Sequence, residues 1–433
     1  MVEVFEQSSL YKGFVECLPK RISNRSYGAA RLALIQLGSF LYGHDCIEDL
    51  EEFRDDPLFE AALKGEVAAP RTISDFLYDF EQDNIDKLSL YLSKMAHAIR
   101  KQLKQIQPEE HKPEAPHVSV DSTMHRQEGI KMEGCAFNYD NVWGLESQVT
   151  FDELGFCHGM QLRSGNMKSG VDADKLIEQA ISRMKFDEEK IISGDAAYCF
   201  QEPIKVCLRL GAKFTFTAND AYTGWKNKIN QMSSWEPWVY TEEEKKKATT
   251  KKRALPEVEL GSFLWKPGWS ENLRFPIVVK RTWVKNSEPT LFDPTNEGGW
   301  DYYAVATNFS LYWKTKQQII EIHNKRGNAE NFIKEEKYGY DLKHFPCLKL
   351  KANHAFGLLA LVAHNILRWV ALIQRPDRPH FSKKLRRRFI YIPGKVISHA
   401  RQLALKIPRR FYEEVTRLQQ AWRLEPCPAL DTC

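Results

Sequence analysis

The period of the hydrophobic pattern changes once along the chain, near residue 116, and no single-layer fold accommodates both halves. Before that point apolar residues recur at helical spacing, with turns at Pro57, at Gly65 and at "AAP" ahead of Arg71. "TISD", Thr72 to Asp75, followed by "FLYDF", resembles an acidic capping box and predicts a helix start there. Residues 1–110 therefore predict a helical domain. The polar, proline-punctuated "QIQPEEHKPEAP", Gln105 to Pro116, predicts an exposed crossing.

From Pro116 the pattern alternates. "HVSVDSTMH" predicts a strand ending near Asp121, and "LESQVTFDE" and "GFCHGMQLR" two more strands around the turn "DELG". "GVDADKLIEQAISRMK" predicts a helix, "EKIISGD" a short strand running into Asp195, "QEPIKVCLRLG" a second helix and "KFTFTAND" another strand. The order βββαβαβ, with a helix still to come, is that of a ribonuclease H-like mixed sheet flanked by helices, an α/β fold. Between Trp225 and Trp300, aromatic strands such as "WEPWVYT", "GSFLWKPGW" and "FPIVVKRTW" surround the charged run "EEEKKKATTKKR" and predict a β-rich insertion. Trp225, Trp235, Trp238, Trp265, Trp269 and Trp300 are expected to supply its small core, with one of them available to stack on an unpaired base.

With 433 residues, 43% of them hydrophobic, the chain can bury a large core and more than one domain. Its net charge of +5 is too small to name a partner, so local distribution must decide. The nine cysteines show no CxxC and no zinc-finger spacing, which suits a reducing compartment. "MVEVFEQSSLYKG" has no basic n-region or apolar h-region and is not expected to be a signal peptide. The run "HAFGLLALVAHNILRWVALI" is interrupted by His364, Asn365 and Arg368, which predicts a buried helix rather than a membrane span.

"HNKRGNAENFIKEEK", His323 to Lys337, places His323, Arg326, Glu330, Lys334 and Lys337 along one stripe of a helix. Taken alone, that is an ordinary charged face with an i,i+4 pair worth a few tenths of a kcal/mol. Gly327 weakens the helix by about 1 kcal/mol and predicts a bend. Asp121 at a strand end and Asp195 after another strand have equally plain readings as turn-capping residues. Together with Glu330, however, ribonuclease H-like topology brings all three to one sheet edge. Clustered carboxylates repel until cations neutralise them, and their hard oxygens suit Mg²⁺ or Mn²⁺, two of which can activate an attacking oxygen and stabilise a leaving one. The expected chemistry is metal-dependent phosphodiester cleavage.

Arg326, Glu330 and Lys337 reproduce the R-x3-E-x6-K core of the Y-x2-R-x3-E-x6-K signature of DDE transposases in the insertion sequence 4 superfamily. "VDSTMHRQEG", "LRSGN" followed by Ser169, "SGDAAYCF" and "RGNAENFIKE" most resemble the insertion sequence 1380 family, over about Ser26 to Arg410. His323 stands where the signature has tyrosine; an imidazole can bond a phosphate but offers a different stacking surface.

The resemblance implies a ribonuclease H-like core with a β-rich insertion before the glutamate helix. It implies that Asp121, Asp195 and Glu330 bind the ions, two Mg²⁺ or Mn²⁺ in the family's manner, and that Arg326 and Lys337, with Lys334 less weighted, hold DNA phosphates. It further implies release of a 3′-hydroxyl at terminal inverted repeats and its transfer to target double-stranded DNA, by a homodimer, in the bacterial cytoplasm and on the nucleoid when bound. A stand-alone nuclease and a non-catalytic DNA-binding relic are the alternatives.

The resulting division is 1–110 helical and DNA-binding, 116–222 first part of the core, 223–308 insertion, 309–375 second part of the core with the glutamate helix, and 376–433 basic. Between Arg375 and Arg410, the basic residues Arg375, Arg378, Lys383, Lys384, Arg386, Arg387, Arg388, Lys395, Arg401, Lys406, Arg409 and Arg410 stand against Asp377 alone. That tail, including Arg386, Arg387 and Arg388, is expected to contact the DNA backbone.

Overall fold

The computed structural model describes residues 1–21, 27–63, 65–113, 115–184, 189–285, 298–399, 402–409, 411–413, 416 and 420. Arg401 and Arg410 of the basic tail and part of the expected insertion, 286–297, lie outside the described residues.

The first hundred residues are helical. The principal helices are α1 (Ala29–Tyr42), α2 (Pro70–Tyr78) and α3 (Gln82–Ile106), joined by shorter unlabelled ones. The start of α2 differs from the "TISD" expectation. Pro70 occupies its first turn and Ala69 the cap position, so Thr72 already lies inside the helix. Proline needs no N–H partner there and its φ is preset for helix, which makes a side-chain cap unnecessary. Glu81 and Asn84 close a reciprocal capping box at the start of α3 instead.

The sheet begins with β1 (His117–Arg126), followed by β2 (Ala136–Phe137), β3 (Trp143–Asp152) and β4 (Cys157–Ser164). Next come α4 (Ala173–Ile181), β5 (Ile191–Gly194), α5 (Gln201–Arg209) and β6 (Lys213–Thr217). β1 pairs antiparallel with β3 and parallel with β5, β5 pairs parallel with β6, and β4 pairs with β3. This mixed sheet, with helices over it, is compatible with the ribonuclease H-like core expected from the sequence.

The strands β7 (Glu236–Pro237), β8 (Val258–Trp265), β9 (Phe275–Val284) and β10 (Gly299–Thr307) continue the same sheet. β10 pairs with β6, giving the order β2-β3-β1-β5-β6-β10-β9-β8-β7. The tryptophans accordingly do not build a separate small core. Trp225 and Trp265 join Phe275, Ile277 and Val279 in one apolar cluster with Val118, Ile192 and Phe214 of the first strands. Trp235 and Trp300 instead sandwich the Arg281 guanidinium, at 4.1 and 4.3 Å from their ring centres.

After β10 the chain forms α6 (Lys316–Asn324), α7 (Gly327–Gly339), α8 (Leu350–Gln374) and α9 (Ser382–Phe389), then the hairpin β11 (Lys395–His399) and β12 (Gln402–Lys406). Helix α8 is long and apolar enough to cross a membrane, yet its apolar window is wholly buried within the protein. It runs between α1, α3 and β4, and one continuous core joins the N-terminal helices, β3, β4, α7 and α8. The helical region 1–110 thus shares its core with the sheet.

The polar interruptions of α8 bind the β3–β4 hairpin. Asn365 Oδ1 accepts from the Cys157 N–H (2.8 Å) and its Nδ2 donates to the Cys157 carbonyl (2.9 Å), as a neighbouring strand would. His354 bonds the Met160 carbonyl (3.0 Å), His364 that of Gly155 (2.8 Å), and Arg368 donates to that of Leu154. Gly155 is required in this turn: its φ is +87°, and a Cβ would lie 2.5 Å from the Phe332 ring. On the other side of the hairpin, buried Arg100 of α3 pairs with Asp152 (3.0 Å) and Glu153 (2.7 Å).

Candidate active site

The register of β1 and β5 builds the site. In this parallel pair Val120 stands opposite Gly194, so one step further along each strand places Asp121 beside Asp195. Asp121 lies within β1, which runs on to Arg126, and not near its end as the alternation suggested; antiparallel pairing with β3 carries it past the end of β5. Asp195 caps the short turn Ala196–Tyr198, its Oδ1 accepting from the Ala197 N–H (2.8 Å). The capping role is therefore real, and it also fixes where the carboxylate stands.

The expected single helix from His323 to Lys337 is two helices. α6 ends at Asn324, α7 begins at Gly327, and Arg326 caps the second. Arg326 Nη1 lies 3.2 Å from Asp121 Oδ2. Lys337 Nζ donates to the Met124 carbonyl (2.8 Å), which holds α7 along β1. Glu330 is exposed in the first turn of α7.

The electrostatics tie these residues together. Burial pushes the Asp121 carboxyl up to about 6; the Arg326 guanidinium opposes the rise, while the charges of Asp195 and, less strongly, Glu330 add to it. Asp121 thus feels both other carboxylates. The donor set consists of hard oxygens whose mutual repulsion a divalent cation would relieve, which fits Mg²⁺ or Mn²⁺. Among the described residues no three His, Cys, Asp or Glu side chains are already gathered as a metal cage.

Two expected DNA contacts are differently placed. His323 is 1% exposed, and its nitrogens face the Thr215 carbonyl (3.0 Å) and Thr217 Oγ1 (3.2 Å), so it presents nothing to a phosphate. Burial lowers its imidazole to about 4, with Arg326 adding to the fall. Arg386 is 5% exposed: its Nε donates to the Leu41 carbonyl (3.1 Å) and its Nη2 to that of Phe40 (2.7 Å), stapling α9 to α1. Both corrections have one cause, since residue type and spacing do not report which side of a helix meets the core.

Arg387 lies on α9, Arg388 beside it, and Lys334 is exposed on α7. Arg387 and Arg388 line a cleft of about 1180 Å³ with Arg375, Arg378, Lys383 and Lys384. α9 meets α7 through Phe332–Phe381 and a hydrogen bond from the Ser382 N–H to Glu335, on the side of α7 away from Glu330. The basic cleft and the carboxylates consequently occupy different faces of the glutamate helix.

Several residues at the site escaped the sequence reading. Buried Tyr198 lies close enough for the charges of Asp121 and Asp195 to raise its hydroxyl's pKa further, after burial. Gln148 of β3 donates to the Ser169 carbonyl and reaches Tyr198 Oη at 3.4 Å. Arg163 of "LRSGN" pairs with Glu146 (3.0 Å) and donates to the Ser169 carbonyl (3.3 Å), latching the loop before α4. The quoted motif was visible, but its partners are brought to it only by strand pairing.

The family profile described as transposase DDE domain group 1 matches residues 1–426. No curated protein matches the chain.

Proposed function

Because the chain belongs to the DDE transposases, a family that generally works with divalent metal ions, we propose that it carries out cut-and-paste transposition of an insertion sequence, within the insertion sequence 4 superfamily and nearest the insertion sequence 1380 family. The observation that carries this reading is the strand register that sets Asp121 beside Asp195, with Glu330 acting electrostatically on Asp121.

In this reading Asp121, Asp195 and Glu330 hold a pair of Mg²⁺ or Mn²⁺ ions, which supply Lewis-acid activation and charge neutralisation when bound. Arg326 and Lys337 take phosphate oxygens beside the scissile bond, arginine as a planar fork and lysine as a point charge. At each terminal inverted repeat a water oxygen forms a bond to phosphorus, the P–O3′ bond breaks, and the 3′-oxygen leaves as the hydroxyl. That hydroxyl then attacks a phosphorus of target DNA and releases the target's own 3′-oxygen. The cleft around Lys383, Lys384 and Arg387 supplies backbone contacts to duplex away from the chemistry, and a homodimer pairs the two ends.

The test is strand cleavage and joining on labelled DNA carrying the element's ends, with Mg²⁺ or Mn²⁺, comparing wild type with Glu330→Gln. Metal-dependent 3′ products joined to target, absent in the variant, are expected. Cleavage without joining would replace the transposase by a nuclease, and binding without cleavage under either metal would leave a DNA-binding relic.

A further inference from the structure

His323 belongs to a hydrogen-bonded chain whose proton directions are all determined. Its Nδ1 faces the Thr215 carbonyl at 3.0 Å; a carbonyl only accepts, so Nδ1 carries the hydrogen. Burial keeps the imidazole neutral above about pH 4, so Nε2 is an acceptor. The Thr217 hydroxyl, 3.2 Å from Nε2, must therefore donate to it, which leaves the Thr217 oxygen to accept from the Tyr303 hydroxyl at 3.0 Å. The chain runs from Tyr303 on β10 through Thr217 on β6 to His323 on α6 and back to β6.

This chain ends where Arg326 begins. The Arg326 N–H donates to the His323 carbonyl (3.0 Å), and the Arg326 carbonyl accepts from the Ala329 N–H (2.9 Å), so the turn between α6 and α7 hangs from the buried histidine. Tyr303 lies near enough to feel the charges of Arg326 and Asp195, which places the other end of the chain at the same site.

We propose that His323 is a positioning residue for Arg326: its anchorage to Thr215, Thr217 and Tyr303 sets the α6–α7 junction so that the Arg326 guanidinium sits on Asp121. The inference rests on the transposase reading for its consequence in catalysis, and its geometric part stands apart from it. A change of tenths of an ångström at His323 is carried along the junction to a guanidinium that must meet one carboxylate oxygen and, with DNA bound, a phosphate. A histidine that only filled the core would affect stability and nothing specific to Arg326.

Two measurements separate these roles. Crystal structures of wild type, H323N and H323L read the Arg326–Asp121 contact directly. Asparagine places an N–H near the Nδ1 position and is expected to keep the contact near 3.2 Å, whereas leucine is expected to lose it; a contact unchanged in H323L overturns the proposal. Single-turnover cleavage in a double-mutant cycle is the second. H323L is expected to slow cleavage about tenfold in the wild-type background and less than about twofold when Arg326 is already alanine. Equal losses in both backgrounds overturn the proposal. T217V, which removes the donor to Nε2 together with the acceptor for the Tyr303 hydroxyl and leaves the imidazole itself in place, gives the same comparison should H323L not fold. If wild type cleaves no DNA, the transposase reading fails, and the crystallographic comparison still decides the positioning role.

Discussion

Glu336 is buried in α7 with neither carboxyl oxygen hydrogen-bonded among the described residues. Its ionisable neighbours include His125, whose Nε2 lies 4.0 Å from Oε1, the adjacent Lys337 and the buried Cys157 thiol. Burial pushes the carboxyl from 4.5 to about 8 against the pull of Lys337. Below pH 4.5 the folded and unfolded chains both hold this proton. Above it the unfolded chain releases the proton while the folded one keeps it, so stability falls with rising pH until about pH 8 and then levels off. At about 1.4 kcal/mol per pH unit the loss over that interval is at most about 5 kcal/mol. Glu336→Gln does not titrate. Its amide adds unpaired donors, which costs a constant of about 1–3 kcal/mol, but the difference between variant and wild type must move in the variant's favour as pH rises. His125, held at about 3 by burial and by Lys337, is common to both proteins and largely cancels. An unfolding entropy of about 2.1 cal/mol/K per residue makes about 0.9 kcal/mol/K for the whole chain, so the gap in melting temperature should shift by about 5 °C between pH 4.5 and 8. Differential scanning fluorimetry across that range is the assay. Parallel melting curves for the two proteins would refute the reasoning, because they would mean that Glu336 titrates in the folded chain as it does in the unfolded one.

Burial also depresses His97 to about 3 and His117, His323 and His354 to about 4, from 6.5. The unfolded chain therefore takes up their protons first, and the melting temperature should drop steeply as pH falls from 6.5 towards 4, which a pH series checks directly. Arg386→Ala should lower the melting temperature while leaving the salt dependence of DNA binding unchanged, whereas Arg387→Ala should reduce the slope of log K against log salt by about 1 without destabilising the fold; the reverse pattern would restore Arg386 as a DNA contact. Asn365→Ala leaves the Cys157 N–H and carbonyl unpaired in the core and should cost about 2–3 kcal/mol in urea unfolding, while an unchanged midpoint would show that the hairpin needs no such bridge. Gly155→Ala should cost about 2 kcal/mol or more in the same assay, from its positive φ and the clash with Phe332.

Five of the first six strands were legible in their order, because hydrophobic period reports secondary structure directly, while the two-residue β2 is too short to show a period; Glu330 was singled out because its spacing from Arg326 and Lys337 is local. Asp121 was singled out although its strand was read too short: the alternation fades after Val120, but pairing with β3 continues to Arg126. The junction between α6 and α7 was signalled by Gly327, though not its consequence, that His323 and Glu330 belong to separate helices. What stayed hidden depends on partners far along the chain. Nothing near residue 299 says that β10 will pair with β6 and make the inserted strands part of the main sheet. Nothing in "RRR" says that the first arginine faces Leu41 and the second solvent. Burial is decided by tertiary packing, which a charge pattern does not encode.

The wide separation of the three carboxylates along the chain has a consequence during synthesis. Asp121 and Asp195 both precede β6 in the chain, whereas Glu330 lies beyond β10 and the α6–α7 turn. Helix α8, which covers the apolar sides of α1 and α3, emerges later still. At about 5–20 residues per second, a growing chain spends several seconds with two aspartates in place, no glutamate and an uncovered core. A fragment released in that interval lacks Glu330 and helix α8, and so leaves the apolar sides of α1 and α3 uncovered.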